Sequence, residues 1–120
     1  SPDDAWPHLL PILELDDVAF RARYRQTAIW RTKRRGLQRN ACVVLGNRRD
    51  PIAVPALATV ALDAGADPVV RGHAAWALGR IGGAIARDTL AQAINELAES
   101  KVPDDDELST EVAAALNSCE

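Results

Sequence analysis

The residues whose types and spacing best suit chemistry are the cations and aromatics between positions 21 and 49, and that chemistry is the binding of a polyanion. Ten of the 14 Lys and Arg residues fall in this stretch, and no acidic residue occurs from Val18 to Arg49. Guanidinium groups bind phosphate through paired N–H donors, and rings such as Tyr24 and Trp30 stack on unpaired bases. The segment therefore indicates RNA binding within a chain whose net charge is −3.

The cations are densest from Trp30 to Gly36, where four occur within five positions, next to a glycine that permits close backbone approach. If their side chains share one side of a helix, they engage several phosphates at once. The alternative is a solvated face that acids elsewhere in the protein neutralise, and Asn40 would then cap or bridge within the fold. The candidate RNA-binding residues are Arg31, Lys33, Arg34, Arg35, Arg39 and Asn40.

No motif in the sequence assembles a catalytic centre. A Gly-rich phosphate loop, a Gly-x-Ser-x-Gly elbow, a His-x-x-x-His pair and a Cys-x-x-Cys pair are all absent. We therefore expect the chain alone to be catalytically inert and to hold neither a cofactor nor a metal. The two cysteines, Cys42 and Cys119, match no metal-ligand spacing and are predicted to be free, buried thiols in a reducing cytosol.

Three further features each have a structural and a chemical interpretation. His73 is predicted to pack or to cap beside an apolar stripe, with substrate contact as the alternative. Trp76 is predicted to fill the core, with base stacking as the alternative. The acidic run 104–107 is predicted to begin a helix, because carboxylates are favoured at the positive end of the helix dipole, with a metal cluster as the alternative.

The elements that must position these residues are helices, because apolar stripes recur along the chain. Three stripes have the spacing i, i+4, i+7, i+8 that places residues on one face of a helix. A stripe with the spacing i, i+3, i+4, i+7 follows each of the first two, so the unit is a helix, a short turn and a helix. The first kind comprises Leu37, Ala41, Val44 and Leu45, then Val70, Ala74, Ala77 and Leu78, then Leu108, Val112, Ala115 and Leu116. The second kind comprises Leu57, Val60, Ala61 and Ala64, then Leu90, Ala93, Ile94 and Leu97.

Turn signals separate these stripes. Gly46-Asn47 and Gly82-Gly83 are predicted to end helices through positive φ, and Asp50-Pro51 and Asp67-Pro68 to begin them as N-cap and first helical residue. No useful stretch alternates with period two, so strands are not expected. The pattern predicts an all-α fold, an α-solenoid of antiparallel helix pairs preceded by short helices at 4–14 and 16–26. The predicted core includes Leu45, Leu57, Trp76, Leu78, Leu90, Ile94 and Leu116.

Length and composition limit the class of protein. A chain of 120 residues with 48% apolar content suits one compact domain. No apolar run approaches the roughly 20 residues that a membrane helix needs, and residues 1–4 carry no basic or apolar signal segment. We therefore expect a cytoplasmic protein that does not associate with a membrane. The missing initiator Met suggests that the sequence is a piece of a longer chain.

In the runs 20–24, 29–31, 36–41 and 44–47, the chain resembles the C-terminal region of the epoxyqueuosine reductase family, and in the run 70–83 it resembles the HEAT-like repeat that ends those proteins. The resemblance covers roughly residues 5–100. The later run by itself is also shared with bilin-lyase-type HEAT repeats. The runs are Phe20-Arg21-Ala22-Arg23-Tyr24, Ile29-Trp30-Arg31, Gly36-Leu37-Gln38-Arg39-Asn40-Ala41, Val44-Leu45-Gly46-Asn47 and 70–83.

The resemblance implies a HEAT-like α-solenoid within a parent oxidoreductase that reduces an epoxide on a modified tRNA base, the last step to queuosine. Family catalysis uses cobalamin and two four-iron clusters held by cysteine-rich runs. This chain has neither run, so those cofactors and the catalytic acid are expected upstream. The role that remains is a non-catalytic domain that helps to bind tRNA near the anticodon, through the residues that match the basic block.

The resemblance and the repeats together suggest a division of the chain. Residues 1–36 are predicted to join an upstream catalytic domain of the same protein, and 37–120 to form repeats at 37–66, 67–101 and, in part, 102–120. The alternative function is a stand-alone HEAT-like scaffold for protein–protein interaction.

Overall fold

The computed structural model describes residues 9–14, 30–100 and 106–120, with the side chains of Trp30 and Arg31 outside that description. These residues form helices and turns without a strand, which confirms the all-α prediction. A short 3-10 turn, Pro51–Ala53, precedes the third helix. The helices are α1 (Leu9–Leu13), α2 (Trp30–Arg48), α3 (Val54–Leu62), α4 (Pro68–Ile81), α5 (Ala84–Glu99) and α6 (Asp106–Ser118).

The helices stack as two layers of an α-solenoid. One layer holds α2, α4 and α6, in which α4 packs against both of its neighbours, and the other holds α3 and α5. The stripes meet between the layers, where Leu45, Leu57, Leu78 and Leu90 are fully buried as predicted. Ile94 and Leu116 are partly buried against the same core.

The predicted boundaries at Asp67 and Gly82 hold for α4, whereas Asp50 and Pro51 begin the 3-10 turn and α3 begins only at Val54. Asp50 accepts a hydrogen bond from the N–H of Ile52, and Asp67 accepts one from the N–H of Val69. Each carboxylate thereby satisfies a donor that the first turn leaves unpaired. Gly82, with φ of 76°, ends α4.

The first layer is held together by two equivalent contacts between a glycine and an alanine. A Cβ added to Gly46 of α2 would lie 3.0 Å from the Cα of Ala77 in α4. A Cβ added to Gly79 of α4 would lie 2.8 Å from the carbonyl oxygen of Ala115 in α6. Gly46 and Gly79 are 33 residues apart, so the same contact recurs in successive repeats. Only a residue without a side chain allows this backbone approach.

Gly46 is therefore a packing residue, and the prediction that Gly46-Asn47 ends the helix is wrong. The helix α2 continues through both residues to Arg48, and Arg49 takes the left-handed conformation with φ of 55°. The reason is that Ala77 and Trp76 pack against the Gly46 backbone, which keeps this stretch helical and in contact with α4.

Trp76 and Val44 also differ from the sequence prediction. Trp76 is 38% exposed and is not a core residue. It lies two residues before Leu78, which is about 200° around a helix of 3.6 residues per turn and thus on the opposite face. Val44 occupies the same repeat position as Ala77, which faces the preceding helix of its layer. Val44 is exposed because the described residues place no helix of this layer before α2.

Two polar side chains form hydrogen bonds between helices, and the apolar stripes do not predict these contacts. The buried guanidinium of Arg71 in α4 donates from Nε and Nη2 to the carbonyl oxygen of Ala61 in α3. Gln38 of α2 donates from Nε2 to the carbonyl oxygens of Ile12 and Leu13 in α1. Both donors satisfy carbonyls near a helix C-terminus, where four carbonyl groups lack intrahelical partners.

The cysteines are free, and they differ in burial. Cys42 is fully buried in the core, and its burial raises the pKa of the thiol to about 12. Cys119 is partly buried near the end of the chain. Cys42 therefore matches the predicted inert thiol, and Cys119 is more accessible than predicted.

Several predictions fall on residues outside the described part of the chain. These are the helix at 16–26, the side chains at 21–31 and the first two carboxylates of the acidic run. The next two, Asp106 and Glu107, occupy the first turn of α6 as predicted. None of the described helices is long and apolar enough to cross a bilayer.

The glycine contact predicts opposite effects for two Gly→Ala substitutions in helices. Gly79→Ala places a methyl against the Ala115 carbonyl, and we expect it to destabilise the chain by about 1–3 kcal/mol. Gly36→Ala is the matched control, because a Cβ at Gly36 meets nothing within 4 Å, so it should stabilise the helix by about 0.5–1 kcal/mol. Urea unfolding of both variants measures this, and equal effects would contradict the packing role of Gly79.

Candidate nucleic-acid interface

The predicted RNA-binding cations whose side chains are described surround α2 rather than sharing one side, and the side chain of Arg31 lies outside the description. Lys33, Arg35, Arg39 and Asn40 are exposed. Arg34 is half-buried, because it shares a face with the buried residues at positions 38, 41 and 45. Arg35 and Arg39 are one turn apart, whereas Lys33 lies on another part of the circumference. A single RNA strand on one face would meet a subset of these residues.

Arg35 has an acidic partner within the chain. Its Nε lies 2.7 Å from Oδ2 of Asp67, and the side chains are 45% and 11% exposed. Asp67 simultaneously caps α4 through Oδ1. Arg35 therefore ties the middle of α2 to the start of α4, which favours for this residue the interpretation of a cation neutralised by the fold.

A groove crosses the layer of α2, α4 and α6, which hereafter is called the layer groove. Its volume is about 930 Å³. Its lining includes three small residues, Gly72, Gly79 and Ala114, of which the two glycines are buried. The polar and aromatic lining residues are Asn47, Arg49, His73, Trp76, Arg80, Glu111, Ser118 and Glu120.

Trp76 and Arg80 form the aromatic part of the layer groove. The Arg80 guanidinium carbon lies 5.6 Å from the centroid of the Trp76 ring, within the range of a cation–π contact. A Cβ at Gly46 would lie 2.7 Å from Cζ3 of Trp76, so the indole rests on the α2 backbone. The ring is thus held in place at its edge by α2 while 38% of the residue stays exposed.

His73 and Glu111 provide the titratable groups of the layer groove. His73 Nδ1 lies 2.8 Å from the carbonyl oxygen of Val69, and because a carbonyl only accepts, Nδ1 carries the proton and Nε2 of the neutral ring is an acceptor. The Glu111 carboxyl lies directly over Gly72. Burial and, secondarily, the charge of Glu107 raise the pKa of Glu111, and His73 opposes the shift.

Sequence reasoning placed the site on α2 and missed most of the layer groove. Asn47, Arg80 and Glu111 were not singled out, and His73 was predicted to pack or to cap. The helical periodicity held a usable signal, since Trp76 and Arg80 lie two residues on either side of the buried Leu78 and so face away from it. The described residues bring Trp76, Arg80 and His73 together on one face of α4.

The chain offers no fit to the iron–sulfur clusters that the resemblance implies. A four-iron cluster is held by four cysteine thiolates, and the sequence contains two cysteines. Among the described residues, His, Cys, Asp and Glu form no group of three or more that could hold a metal ion.

The Arg35–Asp67 ion pair predicts a small coupling energy. We expect Arg35→Ala and Asp67→Asn each to cost about 0.5 kcal/mol, because the Arg35 side chain is 45% exposed to water and Asn keeps the capping oxygen. The double variant should cost less than the sum of the two. A double-mutant cycle by urea unfolding measures this coupling, and strictly additive effects would show that the contact contributes nothing.

The raised pKa of Glu111 predicts a pH-dependent stability. When the pKa of a carboxyl is higher in the folded chain than in the unfolded chain, the protonated group contributes stability at a pH below the unfolded-state pKa, near 4.5. This contribution is lost as the pH rises through the folded-state pKa. Glu111→Gln removes this ionisation, so we expect a higher Tm than the native chain at pH 7 and a smaller difference at pH 4. Calorimetry at both values tests this, and a lower Tm for the variant at pH 7 would contradict it.

Comparisons with known proteins agree on the architecture. The family model for HEAT repeats matches residues 30–117. The chain is 37% identical over 95 residues to an epoxyqueuosine reductase of Listeria monocytogenes, and the match covers 78% of this chain and 24% of that protein. It is 38% identical over 100 residues to an epoxyqueuosine reductase of Bacillus cereus, covering 82% of this chain and 25% of that protein.

A solved structure of epoxyqueuosine reductase from Bacillus subtilis superposes with a TM-score of 0.73 at 30% identity, covering 93% of this chain and 28% of that chain. The chain thus spans about a quarter of the length of these relatives. The resemblance to epoxyqueuosine reductases is confirmed for the part of those proteins that the matches cover. Because the repeat model extends from α2 through nearly all of α6, the chain belongs to the HEAT-repeat family.

Proposed function

We propose that the chain is the non-catalytic HEAT-repeat domain of an epoxyqueuosine reductase and that it helps to bind the tRNA substrate. The similarity to three such enzymes supports the parent activity, which lies in the remainder of a protein about four times longer. Cobalamin, the iron–sulfur clusters and the catalytic acid would belong to that remainder. The function of this domain is then to position RNA for the reaction that the remainder of the same protein performs. We place that protein in the cytoplasm.

The observation that carries the RNA proposal is the set of exposed cations on α2, the helix that also supplies Val43 and Asn47 to the layer groove. Lys33 and Arg39 are exposed, and the helix that carries them contains no acid over its 19 residues. Lys33 and Arg39 are therefore the residues on which phosphate contact depends most directly.

Lys33→Ala/Arg39→Ala tests the proposal with the least disturbance of the fold. Arg34 is half-buried and Arg35 is paired with Asp67, so substituting them would mix packing with binding. We expect the double variant to bind a tRNA anticodon stem-loop more weakly than the native chain. The slope of log K against log salt should become less negative by about 0.7 for each lost phosphate contact. Fluorescence anisotropy at several salt concentrations measures both quantities.

Arg87→Gln is the matched control for this experiment. Arg87 is an exposed cation of α5, in the layer that does not carry the groove, and it donates to the carbonyl oxygen of Glu120. It should leave both affinity and salt slope unchanged. Equal affinities and equal slopes for the native chain and the α2 double variant would overturn RNA binding through α2.

The second candidate is a scaffold that binds another protein, and one observation favours it. Ile52 is 61% exposed and Ile85 is 69% exposed. They are 33 residues apart and therefore occupy the same position in successive repeats, Ile52 in the 3-10 turn before α3 and Ile85 in the first turn of α5. An RNA titration without any binding would favour this function, with these two isoleucines in the interface.

A further inference from the structure

The fold fixes the indole of Trp76 at the surface of the layer groove, where it stays partly exposed. A tryptophan ring is ordinarily largely buried in a folded protein. Here the ring edge rests on the Gly46 backbone, and the small residues of α4 and α6 beside it leave the groove open. The flat surface of Trp76 and the guanidinium of Arg80 thus face a space of about 930 Å³.

The chemistry of this space suits a flat, unpaired base. Every nucleobase stacks on an aromatic ring or on a guanidinium plane, and such contacts are the common means of binding single-stranded RNA. His73 Nε2 and Asn47 add hydrogen-bonding groups to the lining.

The charges divide the surface into a base region and a phosphate region. Glu111 lies over Gly72 in the layer groove and disfavours a phosphate there, while its oxygens accept hydrogen bonds from a base edge. Arg39 lies seven residues before Gly46 on α2, which is about 10 Å along the helix axis. A strand would therefore place a base in the groove and its neighbouring phosphates along α2.

We infer that Trp76 and Arg80 form a stacking site for one unpaired base of the bound RNA, in the layer groove beside the α2 cations. This inference rests on the proposed function and adds a base-dependent contact to a phosphate-dependent one. Trp76 contacts the base face and Arg80 supports the stack, so the affinity for RNA has one component that depends on bases and another that depends on salt.

Two RNAs separate these components. One is a single-stranded RNA of ten nucleotides, and the other is the same sugar–phosphate chain without bases. The native chain should bind the first more tightly. Trp76→Ala should weaken binding of the first by about tenfold or more, leave binding of the second unchanged and leave the salt slope unchanged. Lys33→Ala/Arg39→Ala should weaken binding of both RNAs by the same factor.

Trp76→Phe controls for folding, because it retains an aromatic ring on Gly46 and should retain most of the base-dependent affinity. Arg80→Ala should lose part of it, with an unchanged Tm. Equal loss for both RNAs in Trp76→Ala, or no loss for either, would overturn the stacking site while leaving phosphate binding intact. Binding of neither RNA by the native chain would overturn the proposed function and this inference together, and would favour a protein ligand for the groove.

Discussion

The close contact between a glycine of one repeat and an alanine of the next is the constraint on which the rest of the structure depends. Gly46 packs on Ala77, and Gly79 packs on Ala115, so α2, α4 and α6 approach to backbone distance. This approach aligns the apolar stripes between the two layers. It also leaves the outer surface of the layer with small residues, which gives the groove its depth and gives Trp76 a backbone surface to rest on.

The same geometry divides the cations of α2 between the fold and the solvent. Because α4 lies against α2, the Asp67 cap at its start is within reach of Arg35, and the two side chains form an ion pair. Lys33 lies on another part of the circumference and Arg39 lies one turn further along α2, and both stay exposed. A run of basic residues that looks uniform in sequence thus contains a structural member and members that are accessible to a polyanion.

The sequence predicts the helices, the caps at Asp50 and Asp67 and the burial of Leu45 and Leu78, because periodicity and capping are local properties. The fate of Gly46 depends on a residue 31 positions away, since Ala77 converts a possible turn into a packing contact. The exposure of Trp76 follows from its helical angle to Leu78. The layer groove could not be predicted, because its residues come from three helices and meet only through the repeat stacking.

The most direct test of RNA binding by this layer is an NMR titration of the native chain with single-stranded RNA, followed through backbone amides and the Trp76 indole N–H. We expect the largest shift changes at residues 33–40 of α2 and 72–80 of α4, together with the indole resonance. Shift changes confined to the surface around Ile52 and Ile85, or none at saturating RNA, would contradict an RNA-binding role for the layer of α2, α4 and α6.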